Sequence, residues 1–427
     1  MSAIVNKRMD KGIAGNMSLL LLMLASTVHA DEYHYVNTPV GNRAADLGGA
    51  YTALSDDPTG LFYNPAGVVY AAGSNLSASM NTLQTGSTTY KNVIGGQSNW
   101  VRSSSTLLPN FFGVVQPLGK GVFGFSYAVP DAINEDQDQV IANVATTIGT
   151  AQELIINYNN TDNTYNIGPS YAYQINDHLA VGGTLYYHYR HKQRINNILL
   201  LYPSDRLWTN EYYEVEEYGI KPVLGVMWSP VAQWSLGATL TKVSIIGSDS
   251  NFHISCLGDN ASPATAACQP GGVVIHQVVT DNTERAYPLK LALGATWFPS
   301  SRLLVSADVT YYDGVDAGVN SRDSVINVAV GSEYYLSSRW ALRGGFFTDL
   351  ASTPDLQPNV TSYNQAEHVD LVGVSLGIAH FNRNSSLSLG VTYSVGSGKS
   401  QIFSGSPALQ DAEMENLGVS LAASYTY

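Results

Sequence analysis

Residues 417–427 read Leu-Gly-Val-Ser-Leu-Ala-Ala-Ser-Tyr-Thr-Tyr, and they divide by parity. Leu417, Val419, Leu421, Ala423, Tyr425 and Tyr427 fall on one side of an extended chain, and Gly418, Ser420, Ala422, Ser424 and Thr426 on the other. Successive side chains of a strand point to opposite faces. This strand therefore has one bulky apolar face and one face of small, uncharged groups. A soluble sandwich also alternates, but its bulky face is the inner one and its outer face carries charge. Small groups opposite bulky apolar ones suit a membrane barrel instead, apolar toward lipid and small toward the lumen.

The same division recurs upstream. Leu387, Leu389, Val391, Tyr393 and Val395 alternate with Ser386, Ser388, Gly390, Thr392 and Ser394. Val372, Val374, Leu376 and Ile378 alternate with Gly373, Ser375, Gly377 and Ala379, and Trp234, Leu236, Ala238 and Leu240 with Ser235, Gly237, Thr239 and Thr241. Segments of this kind lie near 73–82, 110–118, 121–130, 163–175, 178–194, 211–228, 233–247, 285–298, 302–312, 323–336, 339–349, 367–381, 385–396 and 416–427. The expected fold is all-β: a transmembrane antiparallel β-barrel of about fourteen strands, an even number within the outer-membrane range.

Two kinds of connection alternate between these segments. Tight turns fall at Gly119-Lys120, Asn176-Asp177, Ser229–Ala232, Pro299–Ser301, Ser337-Ser338 and Asn382–Asn384, whereas 83–109, 131–162, 195–210, 248–284, 313–322, 350–366 and 397–415 read as long polar loops. Short periplasmic turns and long outer loops are the barrel pattern, which puts both termini on the periplasmic side. Tyr186, Tyr187, Tyr189, Trp228, Trp297, Tyr311, Tyr312, Tyr334, Tyr335 and Trp340 sit at strand ends, as interfacial aromatic girdles require.

Composition agrees. Only 13% of the 427 residues are charged, while Gly (39) and Tyr (27) are abundant. The mean hydropathy of −0.03 shows apolar residues spread along the chain rather than gathered in spanning helices. Lys7, Arg8 and Lys11, the apolar Ser18–Ala25 and the small-x-small Val28-His29-Ala30 form an export leader over 1–30. The net charge of −13 gives no electrostatic case for nucleic acid. Cys256 and Cys268 share one polar stretch, where an oxidising exterior favours a disulfide over free thiols; zinc would want closer cysteine pairs. No metal or cofactor is expected.

Residues 31–72 show no alternation. They are rich in Gly, Ala and turn formers, with a short helix expected over Arg43–Leu54 and ended before Pro58. The domain reading is 1–30 leader, 31–72 plug, 73–427 barrel. Gly41–Pro58 (GNRAADLGGAYTALSDDP), followed by Leu61-Phe62-Tyr63-Asn64-Pro65-Ala66-Gly67, resembles the hatch of the FadL long-chain fatty-acid transporter family. Gly294–Pro299 running into Leu303–Tyr312, and Trp340–Phe346, look similar as well. The resemblance implies a fourteen-stranded barrel blocked by a hatch carrying Asn64, Pro65, Ala66 and Gly67. It implies uptake of hydrophobic small molecules, fatty acids or hydrocarbons, across a bacterial outer membrane. It also implies a third strand kinked to open the wall sideways, for which Gly121 and Gly124 are candidates. The chain departs from the family's polar start, with DEYHYVNTPV at 31–40. Implied partners are the hydrophobic ligand, outer-membrane lipid and lipopolysaccharide, and the barrel assembly machinery. An adhesin or assembly scaffold with a permanently closed barrel is the competing reading.

Lys221, Lys290, Asp308, Glu333 and Arg343 are charges at inward positions. They are candidates for ion pairs that hold the plug or, for Arg343 and Lys290, for a ligand carboxylate. The apolar Leu154, Ile155 and Ile156 in the 131–162 stretch are candidates for an outer capture site. Catalysis finds little support. Gly398-Lys399-Ser400 lacks the glycine and the strand-loop-helix context of a phosphate loop, and His188 and Asp308 have no nucleophile motif near them.

Overall fold

The computed structural model describes residues 33–36, 39–71, 73–94, 98–146, 149–258, 273–280, 285, 287–318, 321–360, 362, 365–402 and 408–427. The leader and Cys268 lie outside them; Cys256 is disulfide-bonded. Strand follows strand: β1 (Asn75–Ile94), β2 (Ser98–Leu118), β3 (Gly121–Thr146), β4 (Gly149–Asn176), β5 (Leu179–Tyr202), β6 (Asp205–Val231), β7 (Trp234–Lys242), β8 (Ser244–Gly258), β9 (Val273–Thr280), β10 (Leu289–Ser300), β11 (Leu303–Tyr312), β12 (Val325–Ser337), β13 (Trp340–Asp349), β14 (His368–Phe381), β15 (Ser385–Ser400) and β16 (Gln410–Thr426). β7 and β8 both pair with β6 and form one strand broken at Val243, and β9 and β10, paired with β8 and β7, form another. β16 returns to β1, from Asn75↔Thr426 to Tyr90↔Ala412, and closes a fourteen-stranded antiparallel barrel.

The outer face is the apolar one. Leu376, Leu224, Leu387, Val374 and Leu293 are all more than half exposed, which in a closed barrel means lipid-facing. Inward positions hold Ser, Thr, Gly and Ala, as the alternation implies. The girdle reading needs amendment: Tyr186 and Tyr312 are buried in the lumen, and Tyr335 lines a lumenal cavity beside Arg43. Tyr187, Trp228, Trp297, Tyr311, Tyr334 and Trp340 do face outward.

The predicted turns match, but the predicted loops mostly do not. The stretches 83–109, 131–162 and 195–210 are hairpins that continue the wall, so β3, β4, β5 and β6 run 26, 28, 24 and 27 residues. About ten suffice to cross a bilayer, and β11 and β13 have ten each. The barrel is therefore tall on one side and low on the other. Above the membrane neither face of a strand need be apolar: on β5, Arg190, Lys192 and Arg194 point inward between His191 and Gln193. Such a stretch carries no apolar alternation, and beyond Arg194 it reads as loop.

Two further expectations change. The helix ends at Asp46, spanning only Asn42–Asp46, because Gly48 and Gly49 take φ of +66° and +87°, the left-handed region open to glycine. The first and last described residues do not share a side. Tyr427 meets Ser74 at the turn side. Tyr33 lies at the far end, its carbonyl accepting from Ser352 N (3.0 Å) and Oγ (2.8 Å), while Tyr35 N (3.1 Å) and Val36 N (3.2 Å) donate to Asp349. The front of the chain thus threads the lumen from its outer end downward.

Leu376→Arg places a charge in the lipid belt and should lower unfolding free energy in bilayers by about 2–4 kcal/mol. Refolding titrations into liposomes check this, with the exposed Lys399→Ala as the unaffected control.

Candidate functional site

The hatch is built to lie flat against the wall. Asn64 is fully buried; its Oδ1 accepts from Ala66 N (3.2 Å), capping the 3-10 turn Pro65–Tyr70, while its Nδ2 donates to Thr52 O (2.7 Å) and to Val226 O of β6 (3.1 Å). One side chain therefore ties two hatch turns to a strand, and Pro65 sits where a helix start needs no N–H. Against these turns the wall presents glycine. A Cβ on Gly124 would stand 2.5 Å from Leu61, on Gly182 2.6 Å from Ala66 N, and on Gly331 2.5 Å from Leu47 O. Gly225, Gly237, Gly345, Gly377 and Gly390 are similarly occupied, by Asn64, Thr52, Leu47 and Asp46. This ring of inward glycines is visible in the sequence only as an excess of glycine. Gly121 and Gly124 keep their regular partners Leu118 and Val115; they serve close approach, not a kink.

Charges bolt the hatch at two places. Arg343 pairs with Glu333 (2.6 Å) and with Asp46 of the hatch (3.3 Å), and Arg43 of the hatch pairs with Glu333 (3.0 Å) and Asp56 (2.6 Å). Three carboxylates thus share two guanidiniums. Asp308 stands apart and accepts the backbone N–H groups of Tyr51 (3.0 Å) and Thr52 (2.8 Å). Burial pushes the Asp46 carboxyl up to about 7, against the pull of Arg343.

Lys221 is brought to neither bolt, whereas Lys290 lies within electrostatic reach of Asp308 and lines one cavity with it. Their ammonium groups lie over the rings of Phe62 (4.6 Å) and Tyr312 (5.7 Å), and among the described residues neither makes an ion pair. Above them lies a tier of charge within the tall half of the wall. Arg190 joins Asp162 (2.6 Å) and Glu217 (3.2 Å), Arg285 joins Asp131 (2.9 Å), Arg102 joins Glu135 (2.7 Å), and Arg194 joins Glu211. His188 hydrogen-bonds Asn166 and Tyr287 in this tier. Sequence reading placed Arg102, Asp131, Glu135 and Asp162 in loops; it placed His188, Arg190, Arg194, Glu211, Glu217 and Arg285 in strands without recognising this tier.

The outer end is apolar. Tyr90, Trp100, Val144, Ala151, Leu200, Leu207, Ile402 and Met414 form one buried cluster. Leu154 and Ile156 pack against it from β4, whereas Ile155 is on the opposite face of that strand and outside the cluster. The capture candidates are therefore strand residues, and two of the three point inward.

The wall lapses between β2 and β3, whose described residues beyond Phe111↔Ala128 keep one paired position, Ser104↔Glu135. Phe111↔Ala128 down to Leu118↔Gly121 are paired, but 105–110 and 129–134 are not. A bulge at Val129-Pro130 separates Ala128↔Asn166 from Asp131↔Thr164 on the β4 side, and proline has no N–H to offer a ladder. Asn134 partly replaces the missing ladder, its N bonding Ser104 Oγ (3.1 Å) and its Nδ2 bonding Ser105 O (3.4 Å). Asn110, on the β2 edge of this seam, donates to Pro39 O of the hatch segment (2.7 Å).

No family model and no curated protein matches the chain. Among solved structures it superposes on a Pseudomonas aeruginosa FadL homologue (TM-score 0.62, 15% identity) and on the P. putida toluene transporter TodX (TM-score 0.66, 14%). In each case 92% of this chain and 99% of that chain are covered. The CymD monoaromatic hydrocarbon channel matches over the same shares (TM-score 0.58, 14%). The chain has the FadL-type fold. A FadL-type barrel with a lipid-facing apolar belt is a protein of the bacterial outer membrane.

In this FadL-type barrel Gly225→Val would overlap Asn64 and should destabilise hatch seating by about 1–3 kcal/mol, read as ion conductance in planar bilayers where the parent is silent. The Asp46 carboxyl, raised when the hatch is seated, anchors it fully at pH below 3.8, and this contribution is lost as pH rises through about 7. After correction for intrinsic exchange, hatch amides should exchange more than about tenfold faster near pH 8 than near pH 5. Asp46→Asn should remove that dependence.

Proposed function

We propose that this protein admits hydrophobic small molecules through the outer membrane, taking them in at its apolar outer end and releasing them sideways through the seam between β2 and β3. The observation that carries this reading is the pairing of a stoppered lumen with an unzipped wall. The periplasmic end holds the hatch and a polar cavity of about 260 Å³ lined by Asn42, Arg43, Asn75 and Arg343, a poor path for an apolar solute. The seam meets the membrane, where such a solute partitions readily. The structural neighbours named as a toluene transporter and as a monoaromatic hydrocarbon channel support the same substrate class.

Lys221 and Lys290 sharpen the reading toward a carboxylate-bearing ligand. Two ammonium groups lying over the rings of Phe62 and Tyr312, with no ion pair among the described residues, fit an anionic head whose apolar tail rests on aromatic rings. Arg343 suits this role poorly because Glu333 and Asp46 already occupy it. In binding titrations, Lys221→Met with Lys290→Met should weaken oleate by about 10–100-fold and change toluene by less than about twofold. An adhesin or scaffold with a permanently closed barrel would bind neither. Uptake of labelled oleate or toluene by cells with and without the gene tests the transport itself.

A further inference from the structure

Arg285 belongs to the link between β9 and β10, yet it is 8% exposed, and its partners are on distant strands. Its backbone N donates to Glu217 Oε1 of β6 (3.3 Å), and its guanidinium donates to Asp131 Oδ2 of β3 (2.9 Å). Tyr287, two residues on, donates to Glu217 Oε2 (2.8 Å) and meets the edge of His188 at 5.3 Å between centroids. Arg285 and Tyr287 are thus anchored inside the lumen, and Arg285 reaches across it. Its target, Asp131, is the first residue beyond the Val129-Pro130 bulge, on the stretch of β3 that has lost β2. Arg102 and Glu135 join β2 to β3 farther out, and the seam's movable edge is held from within at Asp131 by its ion pair with Arg285.

That pair is placed where a ligand's head could compete for it. Lys221 lies within electrostatic reach of both Arg285 and Asp131. Leaving a buried guanidinium without an anion is costly, so Arg285 parts from Asp131 only when another anion takes its place. A ligand carboxylate is the same chemical group as Asp131 and can do so, whereas a neutral hydrocarbon cannot. The neighbouring Arg190 is already shared between Asp162 and Glu217 and is less open to exchange.

We propose that Arg285 is the positioning residue that makes the side exit depend on the ligand's charge: bound to Asp131 it holds the seam closed, and an anionic head seated beside Lys221 draws it away and frees residues 129–134. This rests on the uptake reading above, and it predicts discrimination between amphiphilic anions and neutral hydrocarbons at the exit rather than at entry.

Ala132, 4% exposed and lining a small cavity just inside the seam, offers a reporter. In the full mature barrel in detergent, Ala132→Cys is labelled with a hydrophilic methanethiosulfonate. Labelling should be slow alone and with toluene, and faster by about tenfold or more with oleate. Arg285→Gln should label fast without ligand, Arg285→Lys should fall between, and the swap Arg285→Asp with Asp131→Arg should be slow and indifferent to oleate. Equal rates in Arg285→Gln and its parent, or acceleration by toluene equal to that by oleate, overturn the proposal. Should neither compound bind the parent barrel, the uptake reading fails, while the ligand-free comparison of Arg285→Gln and the charge swap still decides the latch.

Discussion

Inside a bilayer a backbone amide has no water to turn to, so every N–H and C=O of the wall must be met within the protein. The whole architecture follows from that demand. The ladder runs strand by strand around the barrel and closes from β16 onto β1; closure is what removes the edges a sheet would otherwise expose. Against this background a lapse in pairing is costly unless something compensates for it. Between β2 and β3 the compensation is local: Pro130 has no donor to strand, and Asn134 turns its amide and side chain toward Ser104 and Ser105. The lapse lies near the aromatic stack of Tyr127, Tyr165 and Tyr189, at the level where the membrane's apolar core gives way to its interface.

The lumen obeys a second constraint, that of charge out of water. A buried ion needs a partner, and a pair broken on one side is worse than no pair. The hatch uses this by sharing Asp46, Asp56 and Glu333 between Arg43 and Arg343, so moving it disturbs several charges together. Shape reinforces charge. The inward glycines let Leu47, Thr52, Asn64 and Ala66 approach the wall backbone more closely than any side chain would allow, and the stopper is held by fit over much of the circumference. Among the described residues Lys221 and Lys290 make no ion pair, and their ammonium groups lie instead over the rings of Phe62 and Tyr312.

Much of this was open to a reader of the sequence. The alternation of residues 417–427 and its repeats gave the barrel, the tight turns gave the hairpins, and Asn64-Pro65-Ala66 marked the plug. The failures have specific causes. Alternation of bulky apolar with small residues detects only the lipid-facing span, so 131–162 and 195–210 passed for loops and hid Asp131, Glu135 and Asp162, as 83–109 hid Arg102. Arg190, Arg194, Glu211 and Glu217 fell in expected strands, but their partners across the lumen left no local mark. Tyr186 and Tyr312 passed for girdle residues because parity on a strand is ambiguous for an aromatic that can fill a lumen as readily as face lipid.

Periodicity along one strand is a local property, and the sequence therefore determined by itself that the chain makes strands, how many, where the short turns fall, and which face of each meets lipid. Which side chains meet across the lumen is not local. That Arg285 finds Asp131, that Arg343 and Arg43 share Glu333, and that the front of the chain rises to Asp349 and Ser352 depend on the barrel's closure and on the register of pairing. Those were decided only by the tertiary structure, because residues separated by hundreds of positions leave no mark on one another's neighbours until the wall brings them together.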